Sequence, residues 1–74
     1  MLRGKPLREW RKDKRLTQAK VAGDLGIGVS SYAMYELGLR TPALPMVRKI
    51  ADYYGVMIEA IFFGEDIHKS QNSA

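Results

Sequence analysis

Cations are the residues of this 74-residue chain whose type and placement imply chemistry most directly. Within the first twenty residues Arg3, Lys5, Arg8, Arg11, Lys12, Lys14, Arg15 and Lys20 stand against Glu9 and Asp13, so this stretch carries +6 and the remainder −2 of a net +4. A field of that sign attracts polyanions, and binding through it releases counterions and weakens with salt. Taken singly, each of these side chains reads as a solvated charge on a first helix. An anionic membrane surface fits less well, because Leu7 and Trp10 alone do not make the broad apolar face of an interfacial helix.

Other chemistries find little support. His68 is the single histidine, lies in a polar stretch and has no nucleophile beside it, and the chain has no cysteine. No glycine-rich phosphate loop and no pair of carboxylates on one helix face is visible. The expectation is therefore no enzyme, no metal, no cofactor and no small-molecule ligand. Tyr53, Tyr54, Phe62 and Phe63 fit a core or a dimer surface better than a ligand box. Without disulfides or a zinc site, so small a core must rest on packing or on dimerisation. No apolar run reaches the roughly eighteen residues that span a bilayer, and MLRGKPLREW lacks the apolar centre of a signal peptide. A cytoplasmic protein is expected.

The elements that position these residues can be read from spacing. Thr17 precedes a helical run of Gln18, Val21, Ala22 and Leu25, where its hydroxyl can cap the helix start. Gly26 stands where a left-handed residue ends that helix, and Ile27 follows as an apolar plug. From Gly28 a second short helix places Tyr32 and either Tyr35 or Glu36 inward, leaves Val29, Ser30, Ala33 and Met34 outward, and ends at Gly38. Ala22 is small enough to let two helices approach closely. Two helices joined at a steep angle by such a turn form a helix-turn-helix, whose second helix can enter the DNA major groove.

Around this pair, a first helix runs from about Pro6 to Lys14 with Leu7 and Trp10 inward. A fourth runs from Ala43 or Leu44 to Tyr54 on the spacing of Leu44, Val47, Ile50, Ala51 and Tyr54, with Gly55 closing it and Pro45 in its first turn. Ile58, Ile61 and Phe62 suggest a short fifth helix ended by Gly64. No strand is expected. Residues 1–64 would form one helix-turn-helix domain and residues 65–74 a polar tail.

From Leu7 to Phe63 the sequence resembles the phage-repressor and Cro type of helix-turn-helix regulator. The motifs are LREWR, LTQ, LGI, YE-x-G, R-x-P and KIADYYGV in that order. The resemblance implies an all-α, five-helix, lambda-repressor-like domain that binds double-stranded DNA as a homodimer at a palindromic operator and acts as a transcriptional repressor. Carried over position by position, it places base contacts at Val29, Ser30 and Met34. It places phosphate contacts at Thr17, Gln18, Lys20, Gly28, Ser31, Leu39, Arg40 and Thr41. It also implies a structural ion pair between Arg11 and Glu36. For the dimer surface the apolar residues Ile58, Ile61, Phe62 and Phe63 are expected, because they exceed what a terminal helix needs to cover one side of a small core.

Several positions depart from the family pattern. The outer face of the recognition helix lacks the Gln, Asn, Arg or Lys that would read purines, so readout would rest on thymine methyls, hydroxyls, water and DNA shape. Lys20 replaces a capping-box Glu, Met57 replaces a capping Ser, and Gly23 lies inside a helix at a cost of about 1 kcal/mol relative to Ala. The alternative function is a protein-interaction module of the same fold, an antitoxin-like subunit or an antirepressor, whose bland recognition face binds a protein.

Overall fold

The computed structural model describes residues 4–63. Its elements are β1 (Lys5–Pro6), α1 (Leu7–Asp13), α2 (Gln18–Leu25), α3 (Val29–Leu37), α4 (Leu44–Tyr54), a 3-10 turn (Ile58–Ala60) and β2 (Ile61–Phe62). The proposed tail, Gly64 and His68 lie outside the described residues.

All four helices stop by one device. A left-handed residue follows each, one position after the end of α2, α3 and α4 and two after the end of α1, and the amide of the next residue reaches back five positions: Leu16 to Arg11, Ile27 to Ala22, Leu39 to Met34 and Val56 to Ala51. This pattern satisfies terminal carbonyls that would otherwise lack a partner. At the other end of α2, the Thr17 Oγ1 accepts from the Lys20 amide at 3.0 Å, so the cap forms although no glutamate completes a box. The α4 start has no side-chain cap, but Pro45 in its first turn has no N–H to satisfy.

The core is formed by Leu7, Val21, Ala22, Leu25, Tyr32, Ile50, Ala51, Tyr54 and Ile61, each at most 6% exposed. Leu16, Ile27 and Val56, the apolar residues that follow three of the helix ends, pack against it. Ala22 is 1% exposed, as its role at a close helix approach requires.

The end of the described segment differs from expectation. In place of a fifth helix there is a single 3-10 turn, Ile58–Ala60, followed by β2, which pairs in parallel with β1 in the register Lys5 with Ile61 and Pro6 with Phe62. Two physical causes act together. Met57 provides no side-chain cap, and one turn of helix must bear the full cost of nucleation. Ile61, Phe62 and Phe63 are β-branched or aromatic and favour extended backbone once a partner strand is present. Pro6, placed by its sequence at the start of a helix, thus precedes it and lies in β1. The Trp10 indole donates to the Ala60 carbonyl at 2.9 Å, which ties α1 to this turn.

Candidate nucleic-acid interface

The turn between α2 and α3 is set by Gly26, whose φ of 77° is open to glycine at little cost, and by Ile27, which packs on the core. Gly28 has φ −70°, which any residue adopts, and a side chain there would meet nothing within 4 Å, so the space before α3 is open.

The faces of α3 separate cleanly. Tyr32 and Glu36 are buried and Tyr35 packs partly against the core, while Val29 is 46% and Met34 40% exposed. Ser30 and Leu37 are also exposed, and Ser31 and Ala33 are half-buried. Of the two inward alternatives at the end of the helix, Glu36 is therefore the more deeply buried.

What holds this helix in place is a polar cluster around Glu36. Arg11 donates from Nε to Glu36 Oε2 at 2.7 Å and from Nη2 to Oε1 at 3.2 Å, and its Nη1 donates to the Leu16 carbonyl at 2.9 Å. Gln18 Nε2 also donates to Oε1, at 2.9 Å. Burial works to raise the Glu36 carboxyl, but the hydrogen bonds from Arg11 and Gln18 outweigh it and hold the group below the ordinary glutamate value. The Glu36 carboxylate thus joins α1, α2 and α3, and the Arg11 guanidinium adds the turn after α1. Next to it, the Tyr32 and Tyr54 hydroxyls meet at 2.6 Å, connecting α3 to α4, and burial raises both phenols.

A second set of contacts binds α4 to α2. Lys49 Nζ donates to the Leu25 carbonyl at the α2 C-terminus at 2.8 Å, and Tyr53 donates to Asp24 at 2.6 Å. The bond to Asp24 raises the Tyr53 phenol to about 12 and, with Lys20, lowers the Asp24 carboxyl.

The positions assigned to phosphate contact fall into two groups. Gly28, Arg40 and Thr41 are exposed, and Ser31 is half-exposed at the first turn of α3. Four others are already engaged. The Gln18 amide is turned inward onto Glu36, Thr17 caps α2, Lys20 pairs with Asp24 at 3.3 Å and the Leu39 amide bonds to Met34. Gln18 keeps one amide hydrogen and Lys20 two ammonium hydrogens beyond these contacts. The basic field is likewise partly neutralised, since Lys5 pairs with Asp13 and Arg11 with Glu36. Lys5 also lies over the Trp10 ring, 4.2 Å from its centroid.

Of the residues expected at a dimer surface, Ile61 is buried in the chain's own core. Phe62 is 37% exposed, and Ile58 and Phe63 are partly buried. Sequence reasoning missed the Tyr32–Tyr54 pair and the Lys49 cap, which join residues more than twenty positions apart and, unlike Arg11 and Glu36, were not implied by the family resemblance. Among the described residues no His, Cys, Asp and Glu cluster is suited to a metal, and no helix is long and apolar enough to cross a membrane.

Comparison with known proteins gives a consistent result. A model of the helix-turn-helix family matches residues 7–61. The chain is 40% identical over 52 residues to a Vibrio cholerae protein named cryptic phage CTXphi transcriptional repressor RstR, covering 70% of this chain and 47% of that one. It is 36% identical over 63 residues to the uncharacterized HTH-type transcriptional regulator YqaE of Bacillus subtilis, covering 85% and 54%. Similarity to the uncharacterized HTH-type transcriptional regulator MJ0272 of Methanocaldococcus jannaschii is 38% over 60 residues, covering 81% and 91%. The chain thus spans about half the length of the first two relatives. No solved structure matches.

Proposed function

We propose, from the premise that this chain belongs to the helix-turn-helix family, that it is a sequence-specific DNA-binding regulator that represses transcription from a palindromic operator as a homodimer. The observation that carries this reading is the state of α3: an outer face of Val29, Ser30 and Met34 that is free, on a helix whose inner face is fixed by Glu36 and Tyr32. The nine residues of α3 make a rod about 14 Å long, against a major groove about 12 Å wide. Val29 and Met34 offer apolar contact to thymine methyls, and Ser30 offers a hydroxyl to either donor or acceptor edges. Gly28, Ser31, Arg40 and Thr41 would meet the backbone, which sets position without reading sequence. The name of the Vibrio relative supports the repressor sign.

One helix reads few base pairs, so a second copy would supply the other half-site, with centres about 34–36 Å apart. The exposed Phe62, flanked by Ile58 and Phe63, is the two-fold patch we favour. Selection of duplexes from a random pool, with footprinting of the winners, tests the reading: two symmetric half-sites are expected, and a single asymmetric footprint at saturating protein overturns the dimer. Phe62→Asp should leave a folded monomer that binds DNA poorly, read by sedimentation and circular dichroism.

A second reading has one observation in its favour, the run of exposed apolar residues Val29, Met34 and Leu37 along α3, which suits a protein partner. Salt separates the two. DNA binding through phosphates falls steeply with ionic strength, whereas an apolar protein contact does not. A chain that selects no duplex at low salt refutes the DNA reading.

A further inference from the structure

The four helix ends share their hydrogen bonding but not their chemistry. At the left-handed position three use glycine, Gly26 (φ 77°), Gly38 (φ 77°) and Gly55 (φ 70°), and α1 alone uses Arg15 (φ 58°). An L residue in this region crowds its Cβ against the following carbonyl oxygen, and the chain shows three times over that glycine suits the same motif. Something other than backbone geometry therefore favours arginine here.

Two local explanations fall short. The guanidinium of Arg15 has no hydrogen-bond or ion-pair partner among the described residues, so no contact within them accounts for it. A cation does favour the C-terminal end of a helix dipole, but Arg11 and Lys12 already occupy the last turn of α1 and Lys14 follows.

Position supplies the third explanation. Arg15 is exposed and stands two residues before Thr17, the cap of α2, on a turn that is not free to move. The Leu16 carbonyl of that turn is held by Arg11 Nη1 at 2.9 Å, and the same guanidinium holds Glu36 of α3. Wherever α3 is placed, Arg15 is carried with it in fixed register beside the amino end of α2. We infer that Arg15 is a phosphate-contact residue, its guanidinium taking an oxygen of the DNA backbone next to the α2 N-terminus, and that its strained backbone is kept for this contact. The inference rests on the DNA-binding reading above. It also compensates for the engagement of Gln18 and Lys20 within the protein, which leaves the start of α2 with fewer free donors.

The test sets stability and binding in opposite directions. Arg15→Gly should raise the folding equilibrium constant by about fivefold by relieving the left-handed residue. It should weaken binding to every duplex about equally and make the slope of log affinity against log salt shallower by about one. Base preferences in a selection experiment should not change, and Arg15→Lys should retain the wild-type salt slope. An Arg15→Gly protein that binds with wild-type affinity and salt slope overturns the inference while leaving the DNA reading intact. A wild-type chain that binds no duplex removes both.

Discussion

Arg11→Met tests the frame of the interface at its centre. The substitution removes two bonds to Glu36, at 2.7 and 3.2 Å, and one to the Leu16 carbonyl, at 2.9 Å. Glu36 is 3% exposed, so water does not replace the lost donors, and the neutral Gln18 amide and Tyr32 hydroxyl that remain do not balance its charge. Breaking a buried pair from one side costs about 3–5 kcal/mol, because the other charge stays desolvated. Chains of this length are stable by about 4–11 kcal/mol in total, so about a quarter or more of the stability is at stake. Glu36→Gln should cost less, about 1.5–3 kcal/mol, since it abolishes charge-assisted bonds but leaves Arg11 attached to Leu16 with a side chain 13% exposed. The double variant Arg11→Met with Glu36→Leu should be more stable than Arg11→Met alone, because no unpaired charge remains. Urea denaturation followed by far-ultraviolet circular dichroism gives all the values. An Arg11→Met cost below about 1 kcal/mol, or a double variant equal to the sum of the singles, would refute the argument.

Three further outcomes are expected. The Glu36 carboxyl titrates below its ordinary value of 4.5 in the folded chain, so its stabilisation is complete above that value and lost as pH falls through the lowered one; the stability gap between wild type and Glu36→Gln should narrow in acid, in pH-dependent denaturation. Tyr54→Phe removes one partner of the fully buried Tyr32 hydroxyl, which still interacts with Glu36, and should cost about 0.5–1.5 kcal/mol, whereas Tyr32→Phe with Tyr54→Phe together should cost less than the two singles added. Gly23→Ala, inside α2 with nothing within 4 Å of the added methyl, should stabilise the chain by about 1 kcal/mol in thermal unfolding and leave DNA binding unchanged.

What the sequence revealed and what it hid follow from the range of the interactions. Thr17, Gly26, Gly38 and Gly55 act within a few residues, so the limits of α2 and α3 and the end of α4 can be read directly from them. The inward face of α4 follows from spacing, with Val47, Ile50, Ala51 and Tyr54 all buried, but Leu44 of the same stripe, at the first position of the helix, is 55% exposed. Ile58 to Phe63 carry no such local instruction: apolar residues in a short run suit a turn of helix or a strand, and the presence of Lys5–Pro6 on the far side of the chain decides. Gln18 shows another limit: its spacing with Val21, Ala22 and Leu25 gives its place in the helix, but the partner of its amide, Glu36, arrives from α3 and is invisible to spacing.

The parallel seam between Lys5–Pro6 and Ile61–Phe62 has a kinetic meaning. It brings together the two ends of the described chain, and closing a loop of that span costs about 3–4 kcal/mol from the logarithmic length dependence of loop entropy. A ladder of two residues a side, one of them a proline without an N–H, has few hydrogen bonds to offset this. The helices must bring the two halves of the seam within reach before it can close, so it is expected to form late in folding and to open early. The Trp10 bond to Ala60 lies at its edge, so the emission of the chain's single tryptophan should follow this late latch rather than the assembly of the helices. Amides at the seam should exchange with solvent by local opening, well below the free energy of global unfolding.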